Sequence, residues 1–219
     1  MTDHYTRSAP VLCALSAAAL LLPSPAWAHL VNTGMGPVYD GIGHLLLTPE
    51  DLVPVIALSL YCGLRGPRAG RWAMFMLPAA WCAGGLIGLR LDLVNTLPVP
   101  ALSFLLLGGL VAADAKLPVQ FIAPLTALVG LVHGVLNGLI LQSGPGGPAI
   151  LGIMGALFVL VTLLSALVVS LKRYWARIVV RVMGSWVAAC GILMIAWYLQ
   201  RQIGCPREGG KTAVNRFTA

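Results

Sequence analysis

The sequence predicts an all-α membrane protein: a polytopic bundle of about six transmembrane helices behind a cleaved signal peptide. Three observations carry that expectation. The chain has 219 residues, 58% hydrophobic and only 10% charged, where a soluble domain carries about 25% charged residues. Its apolar residues come in long runs separated by short turns rich in Gly and Pro. Its basic residues cluster between those runs, a pattern that orients a membrane protein and does not build a nucleic-acid surface. The lipid bilayer is therefore the expected surrounding, and no nucleic-acid partner is expected. The length allows one membrane domain and no added soluble one.

Residues 1–28 read as a secretory signal. Arg7 supplies positive charge, residues 11–22 form a short apolar core, and Pro23 and Pro25 break it. Ala26-Trp27-Ala28 then offers the small residues of a cleavage site. A core of about a dozen residues falls short of the ~20 needed to span a bilayer. Cleavage would leave His29 as the mature N-terminus, on the periplasmic face of a bacterial inner membrane.

Residues 29–200 form the expected transmembrane domain, with spans at 50–64, 72–91, 97–113, 118–141, 147–171 and 182–198. The loop carrying Arg65, Arg68 and Arg71 and the loop carrying Lys172, Arg173, Arg177 and Arg181 both fall in the cytoplasm by the positive-inside rule. The tail, residues 201–219, pulls the other way. Six spans place it outside, yet Arg201, Arg207, Lys211 and Arg216 face Glu208 alone. Trp72, Trp175 and Trp197 sit at span ends, as an interfacial belt requires. The five cysteines form no CxxC pair and read as small buried hydrophobes, not as a disulfide framework. Asp114 and Lys116 fall in a tight turn and read as solvated.

The segment 29–58 holds Asp40, Glu50 and Asp51, three of seven acidic residues, and His29 and His44, two of four histidines. Ionisable groups near the bilayer core are costly and point to function. On one continuous helix Asp40, His44 and Asp51 would share about 40° of arc. Thr48-Pro49-Glu50-Asp51 instead reads as a helix start, with Thr48 as N-cap and Pro49 in the first turn. A short helix over 38–47, a break, and then a spanning helix are expected. Each acidic residue has a plainer reading: Glu50 and Asp51 suit a helix N-terminus electrostatically, and Asp40 follows Gly36-Pro37 and could start a turn. A lone buried histidine is usually hydrogen-bonded core, but His44 is flanked by two carboxylates. His29 would offer an α-amine and a ring nitrogen, a chelate suited to Cu(II) or Ni(II), or is an accident of where the signal ends.

A second cluster lies in the fourth span. Gly130, Gly134 and Gly138 recur every four residues, which lets another helix approach closely. Thr126, His133 and Asn137 form a neighbouring polar stripe. Buried polar groups in lipid need partners, and the first cluster is where His133 would find one. Hydrogen bonding between helices without any metal is the competing reading.

The residues His44-Leu-Leu-Leu-Thr-Pro-Glu50-Asp51 and His133-Gly134 followed by Gly138 resemble the hydrogenase/urease accessory permeases (HupE/UreJ). That family's first motif is His, five residues, then Asp-His; here His44 matches, Glu50 replaces the Asp and Asp51 the second His. Its second motif is Phe-His-Gly with a further Gly and a Glu; here Val132 replaces the Phe and Ile140 stands where the Glu belongs. The resemblance implies a small inner-membrane protein carrying nickel, or cobalt, with hydrogenase or urease maturation machinery as partner. Imidazole and carboxylate alone suit Ni, Co, Zn or Mn.

The expected function is uptake of a divalent transition metal ion, with Asp40, His44, Asp51 and His133 as ligands and Glu50 and Asn137 as supports. No resident cofactor is expected, and no catalytic serine, cysteine–histidine pair or phosphate loop marks an enzyme. A metal-binding membrane accessory or sensor that does not transport, and a scaffold whose polar residues only join helices, are the alternatives.

Overall fold

The structure is a computed structural model that describes residues 33–92, 98–144 and 146–203. The expected signal peptide, His29 and residues 204–219 of the tail lie outside the described residues. Within them the fold is all-helical: α1 (Pro37–Leu47), α2 (Pro49–Arg65), α3 (Pro67–Gly88), α4 (Val99–Ala112), α5 (Val119–Leu141), α6 (Gly146–Ser170) and α7 (Tyr174–Ile203).

Proline punctuates these helices. Pro37, Pro49 and Pro67 each occupy the first turn, where the missing N–H costs nothing and the fixed φ is already helical. Between α2 and α3 the chain reverses through Gly66 at φ 103, a conformation a Cβ would oppose. Between α1 and α2 only Thr48 intervenes, and the two helices meet at 74°. The break expected from Pro49 is therefore present, and α1 lies across the bundle instead of extending α2.

α2 is the centre. Every residue from Ala57 to Leu64 is buried, as befits a helix surrounded on all sides. It packs on α3, α4 and α6, while α3 packs on α5 and α6, α1 on α6, and α4 on α7. The glycine stripe of α5 does what its spacing suggests. A Cβ at Gly130, Gly134 or Gly138 would run into α3 at Leu77, Trp81 and Gly85, and Gly84 and Gly88 of α3 meet α5 in the same way. The two helices thus approach backbone to backbone, the geometry that small residues allow in membranes.

Each expected span coincides with one helix from α2 to α7. Three of these, α5, α6 and α7, are long and apolar enough to cross a membrane, and the bent α1–α2 pair could count as a fourth. α4 has 14 residues, about 21 Å at the helical rise, and α3 has the length but carries Arg68 and Arg71 along with its glycines, prolines and tryptophans.

One expectation about the turns fails. Asp114, read as solvated, is the ionic junction of the basic end. At φ 48 it pairs with Arg65 at the end of α2 and lies 3.8 Å from Arg177 at the start of α7. Arg181 Nε donates to the Ala112 carbonyl at 3.0 Å. Both basic clusters are thereby gathered at one end of the bundle. The contact is tertiary, which is why neighbouring residues alone did not reveal it.

Candidate metal site

The opposite half of the bundle holds a buried polar cluster, delivered by five helices. At the start of α2 consecutive residues diverge by about 100°, so Glu50 turns outward and Asp51 inward, where it is 5% exposed. α5 presents two faces side by side: its glycines to α3, and His133 and Asn137, one turn apart, to α2. α1 contributes His44, α4 Ser103 and α3 Trp81.

Asp51 is the hub. Its Oδ1 lies 2.9 Å from His133 Nδ1, and its Oδ2 accepts from Asn137 Nδ2 at 2.8 Å. The same Asn137 amide also donates to the His133 carbonyl at 3.1 Å. On its far side His133 Nε2 meets Ser103 Oγ at 2.9 Å, and the imidazole stacks on Trp81 with centroids 5.4 Å apart and planes 26° apart. His133 is thus held at both nitrogens and by one ring face. Among the described residues no Lys or Arg pairs with Asp51.

His44 is held differently. It is buried, 3% exposed, and close enough to Asp51 and Asn137 to interact with the charge of one and the amide of the other. Among the described residues neither of its ring nitrogens makes a hydrogen bond of good geometry beyond that approach to Asn137, and the Asn137 Oδ1 has no partner of good geometry either. Buried polar atoms are nearly always bonded, and one left bare costs about 1–3 kcal/mol. An unbonded imidazole nitrogen and amide oxygen, beside a carboxylate that is hydrogen-bonded but carries no cationic partner among the described residues, make a donor set suited to a borderline divalent metal ion. Among the described residues no three His, Cys, Asp or Glu side chains stand ready around one point, and both His133 nitrogens are already engaged. His133 would have to release Asp51 or Ser103 before it could bind an ion.

The remaining expected residues stand apart. Asp40 Oδ1 accepts from the Thr33 N–H at 2.6 Å and the Thr33 hydroxyl at 2.7 Å, a local turn like the plainer reading of its sequence. Thr126 donates back to the Ile122 carbonyl at 2.7 Å and does not reach His133. Glu50 is exposed and borders an outer groove. His29 lies outside the described residues.

Two members were missed in the sequence. Ser103 is the only polar side chain of α4, and Trp81 stands mid-helix instead of at a span end; both were visible as exceptions to an apolar pattern. The order Ser103–His133–Asp51 also matches the connectivity of a serine-hydrolase relay. Those enzymes expose the serine on a sharp strand-to-helix turn beside free backbone N–H groups. Ser103 lies within a regular helix whose N–H groups there are already taken, so the chain of bonds positions His133 without offering an oxyanion hole.

The sequence model of the family described as HupE / UreJ protein matches residues 17–194. Protein HupE of Rhizobium leguminosarum bv. viciae is 27% identical over 186 residues, which cover 81% of this chain and 94% of that protein. No solved structure matches the chain significantly.

Proposed function

The chain belongs to the HupE / UreJ family, and from that premise we propose that it is an inner-membrane permease for a divalent transition metal ion. The observation that carries the reading is the buried His44 with two unbonded ring nitrogens beside the Asp51 carboxylate and the unbonded Asn137 Oδ1. The ion is cargo. His44, Asp51 and Asn137 bind it first, and His133 completes the site after leaving Ser103 or Asp51. Asp40 and Glu50 stand outside this ligand set.

Family membership favours nickel, then cobalt, and delivery to hydrogenase or urease maturation. The donor types alone would also suit zinc or manganese. The orientation that fits has residues 1–28 removed, the basic end in the cytoplasm and the cluster toward the periplasm, so that ions reach the cluster from outside.

Accumulation of radiolabelled nickel and cobalt, in cells with and without the protein, tests this. Protein-dependent uptake is expected. Tight binding by the purified protein without uptake would instead establish a membrane accessory or sensor.

A further inference from the structure

Glu50, next to Asp51 in the chain, is an acidic side chain that the proposed site does not use. Among the described residues it makes no hydrogen bond or ion pair, and it opens onto a large groove. That groove holds about 530 Å³ between α2, α4, α5 and α7, with Ala101, Leu136, Ile140, Met194 and Trp197 among its walls. Its volume is in the range of ligand sites and its lining is mostly apolar. The Arg201 guanidinium lies 3.6 Å from the centroid of the Trp197 ring, one of its walls. One anion therefore lines an apolar trough and one cation stacks on a wall of it.

We propose that this groove is a binding site for a phospholipid with an ammonium headgroup, of the phosphatidylethanolamine class. A trough open to the bilayer is filled by acyl chain, the solvent around it. What selects the lipid is the pair of charges above it. The Glu50 carboxylate receives the headgroup ammonium, and Arg201, held in place by Trp197, receives the phosphate, each by a charge-assisted bond. Trp197 and Tyr198 sit where aromatic side chains mark headgroup level. An anionic phosphatidylglycerol would satisfy Arg201 but set its charge against Glu50. The site is separate from the metal cluster, since Glu50 and Asp51 project to different sides of α2.

The test is lipid retention. Full-length protein in nanodiscs of equal phosphatidylethanolamine and phosphatidylglycerol is extracted, delipidated stepwise, and its retained lipid measured by native mass spectrometry. The wild type should keep phosphatidylethanolamine. Glu50→Gln should lower that preference about tenfold, as loss of one charge-assisted bond implies. In case Glu50→Gln fails to fold, the wild type alone is offered N-acylated phosphatidylethanolamine, whose head carries no ammonium, and should discriminate against it. Equal retention of both headgroups, preference for phosphatidylglycerol, or equal retention of the N-acylated lipid would each overturn the proposal.

Discussion

Two carboxylates join helices at opposite ends of this bundle, and they are treated in opposite ways. Asp114 ties α4 to α2 and α7 through Arg65 and Arg177; a single negative charge faces two positive ones. Asp51 ties α2 to α5 through an imidazole and an amide, with no Lys or Arg paired to it among the described residues. Beside it stand an unbonded histidine and an unbonded amide oxygen. In the first junction the charge is neutralised by two guanidiniums, although the buried Arg65 Nε makes no hydrogen bond among the described residues. The second has a surplus of donor atoms and a negative charge without a strong counter-charge, which is what a cation requires. The same residue type thus holds structure at one end and, in the function proposed above, a site at the other, and its neighbours decide which.

The largest effect should come from removing the uncompensated charge. Asp51→Asn keeps the size and the acceptor for Asn137, so thermal stability should change little. Metal affinity should fall by more than about a hundredfold, since even outer partners of ligands are worth about 10–100-fold. Titration of purified protein with nickel, alongside a melting curve, checks both halves.

Asp114→Asn should do the reverse. It leaves two guanidiniums facing each other in a half-buried junction, and should cost about 1–3 kcal/mol of stability, between the values for exposed and buried pairs. Metal uptake per molecule of folded protein should be unchanged. If uptake per molecule falls as sharply as in Asp51→Asn, the contrast between the ends is lost.

Gly134→Ala probes how the site is supported. Its methyl group would meet the Trp81 backbone, forcing α3 away and with it the ring that stacks on His133. Overpacking of this kind costs about 1–3 kcal/mol, and here both stability and metal affinity should fall together. Ser103→Ala should be the mildest change, about 1 kcal/mol for one lost hydrogen bond. It should not weaken metal binding, because it frees His133 Nε2. A loss of affinity as deep as that of Asp51→Asn would make Ser103 a ligand.

Much of this was legible in the sequence where the signal was local. The break before α2 follows from Thr48-Pro49, the close approach of α3 and α5 from Gly130, Gly134 and Gly138, and the pairing of the two motifs from the need of buried polar groups for partners. What could not be read was tertiary. Whether Glu50 or Asp51 faces inward depends on how α2 is rotated in the bundle, and both carry a carboxylate. Asp114 finds Arg65 and Arg177 only after three helices assemble. Asp40 shares a helical face with His44 in sequence, but the 74° bend removes the continuity that would have carried that face on to Asp51.

The most direct test is nickel binding by purified wild type, His44→Ala, His133→Ala and the double variant. His44 makes no hydrogen bond of good geometry, so His44→Ala should cost mainly the cavity a buried side chain leaves, remain folded, and bind nickel far more weakly. The double change should add little, as groups acting in one unit are non-additive. Undiminished nickel affinity in His44→Ala, in protein that remains folded, would contradict the account.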